Sequence, residues 1–267
     1  MRIKSIGLSM VALSLFVLSA GNTLAEMSTL DKVIKAGVVR VGIDLFVHPF
    51  GMYDKDNKPE GYDVDVANEL AKYLGVKLEI VPLTSPGRIT FLVADKVDVV
   101  ISSFTRTVER AKTIDFTGPY AIESASLLTK EGSGIRDLAD LKGKPVASVK
   151  GITAAIAIAK LVPEAKLTLF DRHPDMVLAL LQDKVVALAD GDTACSKYIE
   201  EHPEAKLVKV ASFSKEFLCF GVKKGDEIWR NWLNTFIFDL WNEGTIGQLW
   251  QKWFSYPMPA VNVTPFF

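Results

Sequence analysis

The sequence predicts an α/β fold whose sheet is built from parallel strand–helix–strand units. Two observations carry this. Short apolar runs alternate with segments of helical periodicity, and the second half of the chain repeats that order. A third observation concerns organisation: no stretch rich in Pro, Gly or Ser divides the chain into two consecutive domains. The composition, 49% hydrophobic and 24% charged, is that of a globular protein. A net charge of −1 with no block of Lys or Arg argues against a nucleic-acid partner.

Residues 30–36 have helical spacing and stop at Gly37, a residue suited to helix ends. Residues 38–43 alternate as a strand, and the polar, turn-rich stretch 52–61 reads as a hairpin tip. Val66, Ala67, Leu70, Ala71 and Leu74 predict a helix over 63–74, ended by Gly75. A strand over 77–81, a helix over 88–94 and a buried strand over 97–102 follow. The second half predicts strands at 145–149, 167–170, 185–189, 207–210 and 218–222. Its helices fall at 154–161, 174–182 and 193–201. The tail 226–254 is helical and carries Trp229, Trp232, Trp241, Trp250 and Trp253, which read as packing residues.

At the N-terminus, Arg2 and Lys4 precede an apolar run over 6–20 and then Thr23-Leu24-Ala25. That order predicts a cleaved signal peptide over residues 1–25. The run is short for a membrane span, so secretion into the periplasm is expected. Cys195 and Cys219 fit no metal-ligand spacing. They read as two buried thiols, unless their Cβ atoms approach closely enough to bridge.

The most informative stretch runs from Ser102-Ser103-Phe104-Thr105 to Arg110 and closes at Asp115-Phe116-Thr117-Gly118-Pro119-Tyr120. Hydroxyl residues at the end of a buried strand, followed by an arginine, make a carboxylate trap. Ser103 and Thr105 offer hydroxyl and backbone donors, and Arg110 offers a planar fork that matches a carboxylate bidentately. Phe104 lies between them, facing the other way along an extended segment. With Gly61-Tyr62-Asp63-Val64-Asp65-Val66-Ala67, this stretch resembles the periplasmic amino-acid-binding proteins of ABC importers, the bacterial extracellular solute-binding proteins of family 3. The resemblance covers roughly residues 30–254.

That resemblance implies the type II periplasmic-binding fold, two lobes that are each a mixed sheet flanked by helices, joined by two hinge crossovers. Lobe 1 would take residues 26–121 and 218–267, and lobe 2 would be the insert 122–217. The implied function is a receptor that closes on a polar amino acid between the lobes and delivers it to an inner-membrane permease. Neither a cofactor nor a metal is implied, and the receptor would act as a monomer. Its α-carboxylate would meet Ser103, Thr105 and Arg110, with Ile152 and Thr153 adding the start of a helix from the second lobe. Its ammonium would meet Asp190 if the preceding strand sets the alignment, or Asp192 if the following helix does. Either could instead cap that helix.

For the ligand side chain, Asp44 stands where relatives use a polar residue. The aromatic lid of relatives falls on Val47, so Phe46, one step earlier, either takes over the lid or belongs to the core. Thr84-Ser85-Pro86-Gly87-Arg88 resembles a segment of the acidic-amino-acid binders, where Arg88 would pair a side-chain carboxylate or else be structural. Asp44 suits a basic ligand and Arg88 an acidic one. A polar or zwitterionic side chain, as in glutamine, histidine or cystine, satisfies both, and the ligand stays open. The rival reading is a cyclohexadienyl or arogenate dehydratase-like enzyme on the same fold, with a cleft carboxylate as general acid. The chain carries no Gly-x-Ser-x-Gly, His-Glu-x-x-His or Walker A motif, which favours the receptor.

Overall fold

Helix α1 (Thr29–Ala36) begins on Ser28, whose Oγ accepts the Asp31 N–H at 3.2 Å. The computed structural model describes residues 27–254 and 256–258, so the expected signal peptide lies outside the described residues. Strand β1 (Val38–Asp44) leads into a small hairpin, β2 (Met52–Tyr53) and β3 (Pro59–Glu60), and then into α2 (Tyr62–Leu74). Gly61 makes that junction at φ 131°, and a Cβ there would stand 2.3 Å from the Phe50 carbonyl oxygen. Only glycine fits.

Strand β4 (Lys77–Leu83), α3 (Arg88–Val93) and β5 (Val99–Val100) complete the first half. β1 pairs in parallel with both β4 and β5, as the alternation of elements predicts. The strand expected over 97–102 is cut to two residues. Beyond Val100 the ladder gives way to a side chain: the Ser102 hydroxyl, 2.9 Å away, accepts the Asp44 N–H. The backbone is thereby freed to turn.

The larger departure is β6 (Ile114–Lys130), paired antiparallel with β10 (Leu207–Lys223). The sequence predicts no strand at 114–130 and two separate strands at 207–210 and 218–222. Both segments are continuous strands of 17 residues. Period-two alternation fails in β6 because most of its residues are buried whichever face they point to. In β10 the ladder slips at Lys209/Ala211, Ser212/Ser214, Leu218/Cys219 and Cys219/Gly221, and each slip shifts the side-chain phase.

Between these strands come β7 (Pro145–Val149), α4 (Thr153–Leu161), β8 (Lys166–Phe170), α5 (His173–Leu181), β9 (Ala187–Gly191) and α6 (Asp192–Glu201). β7 pairs in parallel with β8 and β9, and β9 pairs antiparallel with β6. The result is one mixed sheet in the order β4-β1-β5-β10-β6-β9-β7-β8. The α/β expectation therefore holds, with β6 and β10 as its central pair.

The expected helical tail is two helices, α7 (Glu227–Asn242) and α8 (Thr245–Trp253), broken where Gly244 takes φ 77°. Trp229 and Trp250 are fully buried, and Trp232, Trp241 and Trp253 pack on the same cluster. The indole N–H groups of Trp229, Trp241, Trp250 and Trp253 each find an oxygen acceptor, at Asp98, Pro119, Tyr256 and Asp65. This cluster joins Val39, Val41 and Leu70 from the start of the chain to Phe220, Trp229 and Trp250 from its end. A separate core gathers Val146, Ile158, Leu188 and Cys195, and a smaller one Leu92, Val100, Phe104 and Cys219. The two cysteines are free thiols, each buried in a different core.

Candidate functional site

The site begins at a turn. After β5 the chain passes Ser103 with φ 39°, a left-handed conformation that serine does not favour. Asp63, the second residue of α2, holds it there. Its Oδ2 accepts the Ser103 N–H at 2.9 Å and its Oδ1 accepts the Tyr120 hydroxyl at 2.5 Å. Tyr62 donates to the Tyr120 carbonyl at 3.1 Å. Thus the Gly61-Tyr62-Asp63 segment builds the support under the carboxylate trap. Burial pushes the Asp63 carboxyl up to about 7, against the opposing pull of the Tyr120 and Ser103 hydrogen bonds.

This turn opens on a narrow cleft. Ser103, Thr105 and Arg110 line it on one side, and Ile152, Thr153 and Asp190 on another. Arg110 opens a short 3-10 turn after β5 and is 8% exposed. Its Nη1 donates to the Thr105 carbonyl, and its Nη2 donates to the Gly151 carbonyl at 2.6 Å. Arg88, at the start of α3, also lines the cleft. Its Nε donates to the Ser85 carbonyl at 2.9 Å, and its Nη1 to those of Ser102 and Ser103 at 3.0 and 3.4 Å.

Both guanidinium groups stand over the ring of Phe104, 4.5 and 4.8 Å from its centroid. Phe104 is itself buried and lies outside the cleft lining, so its part is that of a platform. Burial lowers both arginines, Arg88 to about 10 and Arg110 to about 9, the latter also because Arg88 is beside it. Both remain charged at neutral pH, and an anion beside them would raise both values again.

The remaining expected residues separate. Asp190 ends β9 on the cleft, with Oδ2 accepting the Tyr198 hydroxyl at 2.8 Å. Asp192 turns away: it accepts the Ser126 hydroxyl at 2.6 Å and pairs with Lys209 at 2.9 Å. Asp44 is buried behind Ser85, whose hydroxyl it accepts at 3.0 Å. Phe46 is not brought to the cleft. It lies in a neighbouring depression beside His48 and Tyr198, under the guanidinium of Arg172. Val47 and Phe50 supply the apolar wall instead.

Three ionisable lining residues escaped the sequence reading. Glu123 comes from β6, where no strand is expected, and Glu216 from the part of β10 between the two expected strands, so neither had an assigned face. Burial, and then the charge of Glu216, drive the Glu123 carboxyl well above the usual range. His173, at the start of α5, lines the cleft with its Nε2 3.6 Å from Asp190 Oδ1. The only available hint was its place one residue before Pro174 at a helix start. Among the described residues, no group of His, Cys, Asp or Glu is arranged to hold a metal ion.

Cationic and anionic groups converging in one cleft suit a zwitterion, and comparisons with known proteins agree. Residues 39–256 match the model of the bacterial extracellular solute-binding proteins, family 3. The L-cystine-binding protein TcyJ of Escherichia coli K12 is 28% identical over 250 residues, covering 93% of this chain and 94% of that protein. The L-arginine-binding protein of Pseudomonas aeruginosa is 32% identical over 241 residues, covering 84% and 90%. Among solved structures, the ancestral amino-acid-binding protein AncCDT-1, a precursor of cyclohexadienyl dehydratase, superposes with a TM-score of 0.78 at 34% identity, covering 85% of this chain and all of that one. By its motifs, its fold and its family match, this chain belongs to the bacterial extracellular solute-binding proteins of family 3.

Proposed function

We propose that the chain is a periplasmic receptor that captures an amino acid in the cleft and delivers it to the permease of an ABC importer. The observation that carries this is that Arg88, Arg110, Asp190, Glu123 and Glu216 all line one cleft. Buried charges need paired, hydrogen-bonded partners, and a free amino acid supplies both signs at once.

The α-carboxylate goes to Arg110, with Ser103, Thr105 and Thr153 around it and the start of α4 behind. The ammonium goes to Asp190 rather than Asp192, whose carboxylate is already taken by Lys209 and Ser126. The chain works as a monomer made of lobe 1 (26–121 and 218–267) and lobe 2 (122–217), and a ligand touching both lobes favours the closed form by its differential affinity. Secretion rests on the signal-peptide pattern of residues 1–25.

The test is a thermal-shift screen of the mature protein, refolded to remove carried-over ligand, against the amino acids and cystine. Ligand well above Kd should stabilise by roughly 2–4 kcal/mol. No shift with any of them, or turnover of prephenate, would overturn the receptor reading.

A further inference from the structure

Building on the amino-acid reading, we propose that Glu123 and Glu216 form a second cation-receiving pole in the cleft, so that the captured amino acid carries a second cationic group besides its α-ammonium.

The two glutamates stand directly opposite each other on the paired strands β6 and β10. Both line the cleft, and they are only 7% and 6% exposed. Like charges opposite one another destabilise a sheet; burial and the charge of Glu216 make Glu123 hold its proton more tightly, and a cation between the two carboxyls would relieve both costs. Hydroxyls supply only part of that relief. Thr193 donates to Glu123 at 2.7 Å, and Thr105, Thr153 and Ser214 donate to Glu216 at 2.7, 2.5 and 3.2 Å. These bonds orient both carboxylates but bring no positive charge.

A second observation points to a ligand in the same cleft. His173 is 2% exposed and lines the cleft, yet its Nδ1 has no hydrogen-bond partner among the described residues. An unpartnered buried nitrogen costs free energy that a ligand group can recover.

The arginine donors in this cleft are largely committed. Arg88 spends its Nε and Nη1 on the carbonyls of Ser85, Ser102 and Ser103. Arg110 likewise donates to the Thr105 and Gly151 carbonyls, so two guanidinium groups that are already hydrogen-bonded share the lining with three carboxylates. The α-carboxylate and α-ammonium use Arg110 and Asp190. The glutamate pair remains, and it would repel a second negative group that has no cation beside it.

A second cation can come from a basic side chain or from the distal ammonium of cystine. Isothermal titration of the refolded mature protein separates these sources. Lysine, ornithine, arginine and cystine are compared with glutamine and glutamate, and the series is repeated with Glu123→Gln and Glu216→Gln. The expected result is that at least one doubly cationic ligand binds about tenfold or more tighter than glutamine and glutamate, and that both variants lose most of this preference. Preference for lysine, ornithine or arginine assigns the pole to a basic side chain, and preference for cystine assigns it to a distal ammonium. Tightest binding of glutamate or glutamine by the wild-type protein would overturn the proposal even if the variants fail to fold. So would a preference that survives both substitutions. In those cases an amino acid still binds and the receptor reading stands; it falls only if none binds.

Discussion

Asp63 ties the motif on α2 to the turn at Ser103, and its acidity makes that tie measurable. The folded-state value of about 7 lies above the ordinary 3.8. Between these pH values the folded protein keeps a proton that the unfolded chain has released, so stability falls as pH rises through the window. Asp63→Asn cannot titrate. Its unfolding free energy in urea should lack this slope, by up to about 1.4 kcal/mol per pH unit. An unchanged slope would mean that the carboxylate is ionised throughout. For Arg110→Ala we expect a loss of roughly 3–5 kcal/mol in amino-acid affinity, because the ligand carboxylate would be buried unpaired. Arg110→Lys should recover only part of it, since an ammonium cannot make the two-pronged contact. Calorimetric affinities equal to wild type would place the carboxylate elsewhere. Ser103, Thr105 and Arg110 are legible in sequence because they fall within one short stretch. Glu123 and Glu216 are not, because they meet only through strand pairing.

The elements that were legible are short ones bounded by turn formers such as Gly37 and Gly75. Helix α2 and strand β1 each show one clear period, and their observed limits lie within a residue of expectation. Strands β6 and β10 lack that period, since burial on both faces and repeated slips hide it and polar residues interrupt them at the cleft. The junction of β3 with α2 yields its own prediction. At Gly61 the backbone lies where side chains are not tolerated, and the Phe50 carbonyl closes the space. Gly61→Ala should cost about 2–4 kcal/mol in denaturant unfolding. Ligand affinity should fall with it, because Tyr62 and Asp63 follow directly and support the Ser103 turn. A loss below about 0.5 kcal/mol would show that the junction relaxes freely.

Across the whole molecule, the proposed lobes also touch outside the cleft, where His48 Nδ1 meets Glu201 Oε1 at 2.9 Å. Both side chains are about one-third exposed, 34% and 33%, so the pair is worth little by itself. His48→Ala and Glu201→Ala should weaken every ligand by a common factor of about two to five in titration calorimetry. A loss confined to one ligand class would mean that His48 reads the ligand. The proposed two-lobed organisation rests on family resemblance, since both proposed crossovers fall within or beside the long strands β6 and β10, where a linker search finds nothing. The shared core has a further consequence, for timing. Phe220, Trp229 and Trp250 complete packing begun by Val39, Val41 and Leu70. A chain emerging N-terminus first, from a ribosome or a translocation pore, holds an unfinished core until its last helices arrive. The packing that joins the two ends is therefore completed after the core of residues 125–207 already has all its members.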